Sequence, residues 1–294
     1  MPELPEVETI RIGLSRHLPG LIVKSVQSDT PKSFPNDPEL VRQFLIGATI
    51  SSVERRAKVL IIHLNTDYSL IIHLKMTGQL VFVGRERWGG GHPNDSLIGD
   101  LPDRSTRVTM QFADESTLFF NDQRKFGWMR LVPTAEISEI DFFKKVGPEP
   151  LGTDFTLKYF KKALLRRKNT SIKAAILDQT IVAGVGNIYA DESLHIARIH
   201  PAMKTGDVPP VNVKALFAAI PDIMRVSLAH GGSSDKNYVD ADGKRGSYLK
   251  FARVFRREGE GCPDCGGVIE KIRVAGRGTH FCPVCQKLPR IKKK

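Results

Sequence analysis

The chain has 294 residues, of which 41% are hydrophobic and 26% charged, so it has the composition of a globular protein and enough material for two domains. No apolar run reaches the roughly 18 residues of a membrane-spanning helix, and the N-terminal region lacks the apolar core of a signal peptide, so we expect a cytoplasmic location. Lys and Arg outnumber Asp and Glu by 44 to 32, and the net charge of +12 favours a polyanionic partner, either nucleic acid or an acidic membrane surface.

The first half of the chain predicts one helix followed by a β-rich domain. Apolar residues recur at helical spacing over residues 5–18, and Pro5 suits the first turn of a helix. From residue 21 to 132, short β-rich runs separated by turn signals predict a β-sandwich or barrel. The segment 84–105, which is rich in Gly, Pro and polar residues, predicts a long loop between strands.

The second half predicts helices followed by a cysteine-rich module. Residues 133–152 hold three prolines and two glycines, which predicts a linker between an N-terminal domain and a helical domain. The polar segment 231–250 predicts a mobile loop within the helical domain. The predicted boundaries are 1–132 for the β-sandwich, 153–255 for the helical domain and 256–290 for the cysteine module.

All four cysteines lie near the end of the chain, in the pattern C-x2-C-x16-C-x2-C. Each CxxC pair supplies two adjacent corners of a tetrahedron, so the pattern predicts one structural zinc ion per chain. A pair of disulfides is the alternative, but a reducing compartment disfavours it. The predicted zinc ligands are Cys262, Cys265, Cys282 and Cys285.

Two further segments suit phosphate binding. The segment VIEKIRVAGRGTHF predicts two short strands joined by a Gly-Arg-Gly turn, with the planar cation of Arg277 at the tip. The segment AGVGN predicts a tight turn with Asn187 as the N-cap of the next helix, whose free N–H groups favour an anion. The alternatives are a solvated hairpin arginine and an ordinary helix cap.

Seven segments in order along the chain resemble the bacterial formamidopyrimidine-DNA glycosylase family, which belongs to a superfamily that also contains endonuclease VIII. The resemblance implies an α+β multidomain fold: an N-terminal β-sandwich with a leading helix, a helical domain with a helix-two-turns-helix motif, and a C-terminal four-cysteine zinc ribbon hairpin. The segments are MPELPEVET, RRAKVLII, HLKMTGQL, KFG, GVGNIYADE, GGSSDKNYVDADG and GRGTHFCPVCQ.

The resemblance also implies an activity and a nucleophile. The enzyme would be a DNA glycosylase with AP lyase activity that excises oxidised purines from damaged double-stranded DNA. Removal of Met1 would expose Pro2 as a secondary amine, which attacks the sugar C1′ and forms a Schiff base that leads to β- and δ-elimination. Glu3 would be the adjacent acid–base group, supported by Glu6. The alternative for both acids is that they complement the helix dipole.

The family's DNA contacts can be placed on this sequence residue by residue. Met76, Arg124 and Phe126 would fill the gap left by the flipped nucleotide, although a Met and a Phe alone would indicate core packing. Two neighbours of Arg124 and Phe126 in the sequence, Gln123 and Lys125, differ from the residues that are usual in the family. The residues that would hold the phosphates around the lesion are Lys58, His73, Asn187 and Arg277, of which Lys58 and Arg277 also belong to the implied catalytic set.

Two other functions fit parts of the sequence. An endonuclease VIII-type enzyme would share Pro2, Glu3 and the zinc hairpin but act on oxidised pyrimidines; the segment ELPEVET, the set Met76, Arg124 and Phe126, and the long loop over 231–250 favour the purine branch. A non-catalytic DNA-binding zinc-ribbon protein would need no glutamate beside the new terminus. We expect a monomer in the bacterial cytoplasm that associates with the nucleoid when it binds DNA.

Overall fold

The computed structural model describes residues 2–92, 94–233 and 247–288. The chain divides into two compact units: unit 1 is Met1–Lys144 with Leu228–Ser247, and unit 2 is Lys145–Ser227 with Tyr248–Lys294. The domain boundaries predicted from the sequence stay a prediction. Most of the loop predicted at 231–250 lies outside the described residues.

Within its described residues, unit 1 contains a leading helix, α1 (Leu4–His17), a short helix, α2 (Pro38–Phe44), and two antiparallel sheets. The first sheet has five strands, in the order β1 (Val23–Ser28), β7 (Thr106–Phe112), β8 (Thr117–Asp122), β5 (Gly78–Val83) and β6 (Arg87–Gly91). The second sheet has four strands, in the order β2 (Ile50–Arg56), β3 (Val59–Leu64), β4 (Tyr68–His73) and β9 (Trp128–Pro133).

One hydrophobic core is shared by α1 and both sheets, which confirms the predicted β-sandwich with a leading helix. Ile10 and Leu14 of α1 are fully buried in it, because they recur on one face of the helix. Each such side chain contributes about 1.5–3 kcal/mol when it leaves water. The sheets contribute buried residues that include Leu60, Ile72, Leu80 and Phe120.

The prediction of a continuous loop over residues 84–105 was wrong, because β6 occupies part of it. Trp88 pairs with Phe82 of β5 and is only 3% exposed. A Cβ atom on Gly13 of α1 would lie 2.2 Å from the Trp88 ring, so the helix packs directly on this strand. Three consecutive glycines hid the strand in the sequence, since glycines show no alternation of side chains.

Unit 2 contains the predicted helices and the cysteine module. Thr156 and Ser171 cap two of the helices, because their side chains accept hydrogen bonds from backbone N–H groups of the first turn. The elements are α4 (Leu157–Leu165), α5 (Ile172–Leu177), α6 (Asn187–Ile196), α7 (Pro210–Ala229), β10 (Glu270–Val274) and β11 (Arg277–Phe281). The short helix α3 (Asp141–Lys145) spans the boundary between the two units, and the last residues of α7 belong to unit 1. Of the helices in the described ranges, none has the length and apolar character needed to cross a membrane.

Candidate DNA interface and zinc site

Pro2 and Glu3 precede α1 and are both buried. Glu3 is the N-cap residue of the helix, and its backbone N–H donates to Oε2 of Glu6 at 2.8 Å. The other carboxylate oxygen of Glu6, Oε1, accepts from the backbone N–H of Ser233 at 2.7 Å. Glu6 therefore fixes the position of Glu3 and also contacts the start of the segment 231–250, which the sequence predicts as a loop.

The chain passes between the two sheets twice at the same end of the sandwich. Residues 74–77 lead from β4 to β5, and residues 123–127 lead from β8 to β9. Met76 lies on the first crossing and is 39% exposed, while Phe126 on the second is 45% exposed. This exposure argues against core packing for both side chains. The guanidinium carbon of Arg124 is 4.9 Å from the centroid of the Phe126 ring, a cation–π contact.

Asp122 ties the two crossings together. It is fully buried, and its Oδ1 accepts hydrogen bonds from the Thr77 hydroxyl and from the backbone N–H of Arg124. Its Oδ2 accepts from the backbone N–H groups of Phe126, at 2.8 Å, and Gly127, at 2.7 Å. Sequence reasoning missed this residue, although an Asp before a turn is a recognised signal for such backbone contacts.

Lys58 and His73 lie beside one another at this end of the second sheet. Lys58 follows Ala57, whose φ is 53°, in the turn between β2 and β3, and the next residue, Val59, pairs with His73. Burial, together with the charges of Lys75 and Lys58, lowers the pKa of His73 to about 3, so the ring is neutral at pH 7. Its Nδ1 accepts from the Lys75 N–H at 3.0 Å, which leaves the proton on Nε2. His73 can therefore donate a hydrogen bond to an anion such as phosphate, but it provides no positive charge to attract one.

The structure corrects the prediction that Asn187 caps a helix. Gly186 is the N-cap residue of α6, with extended backbone angles of φ −130° and ψ −160°, and Asn187 is the first helical residue. The Asn187 side-chain amide instead donates to the carbonyl oxygen of Gly278 at 3.0 Å. This bond joins the start of α6 to the hairpin formed by β10 and β11.

The structure also corrects the turn that carries Arg277. Ala275 and Gly276 form the turn, with φ values of 49° and 75°, and Arg277 is the first residue of β11, paired with Val274. Two consecutive residues with positive φ are typical of a type I′ turn, whose twist matches the twist of the two strands that it joins. Arg277 therefore lies one position past the turn, and it is exposed.

The four cysteines form the predicted metal cluster. All four Sγ atoms lie within 4.8 Å of one another, and the Cys262–Cys285 and Cys265–Cys282 pairs are 3.9 and 3.5 Å apart. A tetrahedral zinc ion with Zn–S bonds of about 2.3 Å requires sulfur atoms roughly 3.8 Å apart, so the cluster fits one zinc ion. Because protein supplies all four ligands, the zinc is structural.

A buried ion pair joins the helices of unit 2 to the hairpin, and sequence reasoning missed it. The Lys173 ammonium donates to Asp191 at 2.6 Å and to the Thr279 hydroxyl at 2.7 Å, and both charged side chains are fully buried. The second carboxylate oxygen of Asp191 accepts from the backbone N–H of His280 at 2.9 Å. Asp191 therefore holds both Lys173 and β11.

Removing the lysine charge is expected to destabilise the protein strongly. Lys173→Met would leave the Asp191 carboxylate buried without its cation, which costs about 3–5 kcal/mol of unfolding free energy. Equilibrium urea unfolding measures the loss. The double variant Lys173→Met/Asp191→Asn removes the uncompensated charge and should recover part of it. A single variant as stable as the parent would contradict the prediction.

The same helix holds the chain that leads into the cysteine module. Glu192 is fully buried, and its carboxylate accepts the backbone N–H groups of Arg253, Val254 and Phe255 at 2.8 to 3.0 Å. Burial raises the pKa of Glu192, and the three backbone donors oppose that rise. The contacts of α6 with the cysteine module had one signal in the sequence: the polar residues at positions 187, 191 and 195 share one helical face.

A β-sandwich, a helical domain and a four-cysteine zinc hairpin together define a class of multidomain zinc protein, and three family models match it in the same order. They are the Formamidopyrimidine-DNA glycosylase N-terminal domain over residues 1–129, the Formamidopyrimidine-DNA glycosylase H2TH domain over 146–238, and the zinc finger found in FPG and IleRS over 259–288. The chain belongs to the formamidopyrimidine-DNA glycosylase family, which confirms the resemblance and the fold class.

Relatives and solved structures agree with this assignment over nearly the full chain. The formamidopyrimidine-DNA glycosylase of Desulforamulus reducens is 40% identical over 290 residues, covering 98% of this chain and 99% of the relative. That of Caulobacter vibrioides is 41% identical, covering 97% and 100%. A Lactococcus lactis FPG variant bound to a Fapy-dG containing DNA has a TM-score of 0.87 at 36% identity, covering 98% and 100%. The L. lactis enzyme bound to an abasic site containing DNA has a TM-score of 0.86 at 36% identity, covering 97% and 100%.

Proposed function

We propose that the protein is a DNA glycosylase with AP lyase activity that removes oxidised purines, 8-oxoguanine and formamidopyrimidines, from duplex DNA during base excision repair. The observation that carries the proposal is Pro2 directly before Glu3 at the start of α1, in a chain that matches formamidopyrimidine-DNA glycosylases over almost its whole length. A non-catalytic DNA-binding protein would require neither residue.

Pro2 is the proposed nucleophile because removal of Met1 converts its nitrogen from an amide to a secondary amine. The nitrogen attacks C1′, the bond from C1′ to the damaged base breaks, and the base leaves with a proton. Opening of the sugar ring gives an iminium ion, which draws electrons from C2′. Loss of the C2′ proton then breaks the C3′–O bond to the 3′ phosphate, and a second elimination breaks the C5′–O bond to the 5′ phosphate. Hydrolysis of the iminium by water then frees the sugar fragment from Pro2.

Glu3 is the proposed proton carrier for these steps. It adjoins Pro2, and the Glu6 carboxylate fixes its backbone. A carboxylic acid next to the sugar can protonate the ring oxygen as the ring opens and take protons up during elimination. Burial of Glu3 supports this role, since proton transfer is most effective where water does not compete.

Borohydride trapping tests the nucleophile, because it reduces an iminium to a stable covalent adduct. We expect an adduct with an 8-oxoguanine:C duplex, mapped to residue 2 by mass spectrometry. Pro2→Gly should trap poorly, whereas Pro5→Ala, which changes an internal proline in the same helix, should trap normally. A mature protein that keeps Met1, or an adduct on a lysine, would contradict the assignment.

The exposed crossings and the hairpin supply the proposed DNA contacts. Met76 and Phe126 are apolar and exposed, so they suit insertion into the base stack, while Arg124 can pair with the orphaned base. Phosphates would be held by Lys58, His73, Asn187 and Arg277. Only two of these four, Lys58 and Arg277, are cations at pH 7 and therefore contribute to counterion release.

Salt dependence separates these roles. Arg277→Ala should weaken binding to damaged and undamaged duplexes alike and lower the slope of log affinity against log salt by about one. Phe126→Ala keeps the charge, so the slope should hold while excision slows. Affinity titrations over a salt series, with single-turnover excision, measure both. If Phe126→Ala changes the slope as Arg277→Ala does, or leaves excision unaffected, Phe126 is not an inserted wedge.

One comparison favours a second substrate class. The L. lactis wild-type enzyme has been solved with an oxidised pyrimidine containing DNA, and it matches this chain with a TM-score of 0.85 at 36% identity. Oxidised pyrimidines are therefore the second candidate substrates. Initial excision rates on a panel of 8-oxoguanine, formamidopyrimidine and oxidised-pyrimidine duplexes decide which class is preferred. A monomeric state, a cytoplasmic location and association with the nucleoid stay predictions.

A further inference from the structure

His195 lies near the end of α6 and is fully buried against the zinc cluster. Its Nε2 atom is 3.3 Å from Sγ of Cys262, one of the four zinc ligands. Nε2 is also 3.8 Å from Oδ2 of Asp264. Because sulfur is a large acceptor atom, 3.3 Å from nitrogen to sulfur is a hydrogen-bond distance, whereas 3.8 Å from nitrogen to oxygen is too long for one.

The other ring nitrogen decides which tautomer is present. Arg253 approaches His195 with its Nε, which is 3.4 Å from the ring's Nδ1. A guanidinium can only donate hydrogen bonds, so Nδ1 must be the acceptor. The imidazole is then neutral with its proton on Nε2, and that N–H is directed at the Cys262 sulfur.

The contacts of His195 and Arg253 form a closed chain that leads back to the metal-binding turn. The Arg253 guanidinium donates to Asp264, which lies between Cys262 and Cys265 in the first CxxC. Arg198 also pairs with Asp264, at 2.8 Å. This closed chain of contacts leads from Cys262 through His195 and Arg253 to Asp264, which lies in the same turn as Cys262. Partners on both sides of the imidazole therefore fix its tautomer and its orientation.

We infer that His195 is a positioning residue for the zinc site, which holds the Cys262 thiolate through an N–H···S hydrogen bond and so couples α6 to the metal. Four thiolates around Zn²⁺ leave a net charge of about −2, and a donor to one of them stabilises that charge and opposes protonation and loss of the ligand. The inference depends on the four-cysteine site and not on the role proposed for Arg277, so zinc measurements test it whether or not the DNA contacts are correct.

Two substitutions separate the hydrogen bond from the packing of the ring. His195→Leu fills the space of the imidazole but has no hydrogen-bond donor for the Cys262 sulfur. It should therefore lower the affinity for zinc by about 10–100-fold, as measured by competition with a chelator. His195→Gln keeps an N–H donor close to the position of Nε2 and should retain most of the affinity. Equal loss in both variants, or no loss in either, would overturn the inference.

Cobalt substitution provides a spectroscopic test of the same bond. Co²⁺ bound by thiolates shows sulfur-to-metal charge-transfer absorption, and a hydrogen bond to sulfur lowers the energy of the sulfur electrons. His195→Leu should therefore shift this absorption to lower energy, and His195→Gln should not. An unshifted band in His195→Leu, or a wild-type spectrum of three thiolates and one imidazole, would overturn the inference.

Nitrogen NMR of the zinc-loaded wild-type protein needs no substitution, so it decides the question even if a variant fails to fold. We expect the proton of His195 on Nε2, with Nδ1 unprotonated. A proton on Nδ1, or on both ring nitrogens, would overturn the inference, because the Arg253 contact requires Nδ1 as an acceptor.

Discussion

Replacing Glu3 with Gln is expected to slow base excision by about 10²–10⁴-fold, because an amide cannot exchange protons as a general acid or base. Gln has nearly the same size, and the backbone N–H that donates to Glu6 is unchanged. The affinity for a duplex with a stable abasic-site analogue should therefore hold. Single-turnover excision at saturating enzyme, together with that affinity, measures the effect.

Glu6→Gln is the matched control for this prediction. Both oxygens of Glu6 accept hydrogen bonds, from the N–H groups of Glu3 and Ser233, and an amide can accept only with one of its two polar atoms. We therefore expect a loss of stability of about 1.5–3 kcal/mol, the usual value of a charged hydrogen bond, with a smaller effect on excision. If Glu6→Gln slowed excision and Glu3→Gln did not, the acid–base role would belong to Glu6.

Cys282→Ser is expected to abolish zinc binding and with it most of the DNA affinity. Zinc binding in small zinc-finger peptides is worth about 10–16 kcal/mol, and an isolated two-stranded hairpin is at best marginally stable in water. Without the metal, the hydrogen bonds described above between the helices of unit 2 and the hairpin remain, and they hold β11 alone, so the tip that carries Arg277 is no longer fixed. Metal analysis and DNA titration of the same preparation measure both losses.

Val284→Ala provides the control, since Val284 lies in the same turn and is 51% exposed but leaves all four thiolates in place. It should keep the zinc ion and the DNA affinity. Full DNA affinity in a zinc-free Cys282→Ser protein would show that the hairpin does not need the metal to contact DNA.

The sequence predicted those parts of the fold in which local pattern and final environment agree. Runs such as VLIIHL became β3 because a strand buried on both faces reads as continuous apolar residues. The zinc site was also predictable, since each CxxC fixes two ligands over four residues. By contrast, β6 was missed because the packing of Trp88 against α1, and not its own glycine-rich sequence, makes it a strand.

The contacts that hold the candidate site are long-range, and this is why local reasoning could not find them. Lys173 and Thr279 are 106 residues apart in the chain, and Asp122 and Thr77 are 45 apart. Met76 and Phe126 were placed by resemblance, yet the buried carboxylate that orients both crossings carries no local pattern beyond a turn signal. The errors at Asn187 and Arg277 were each one position, since turn geometry decides between neighbouring residues.

The position of the anchors on α6 bears on how this protein can be recombined with its relatives. The family models treat residues 146–238 and 259–288 as separate segments. However, Asn187, Asp191 and His195 of α6 make direct hydrogen bonds to the hairpin and to one zinc ligand. The zinc finger is thus a module in sequence but not in structure. A chimaera that exchanges the finger alone would pair it with foreign anchors, so the unit of exchange, in the laboratory or in evolution, is the finger together with α6.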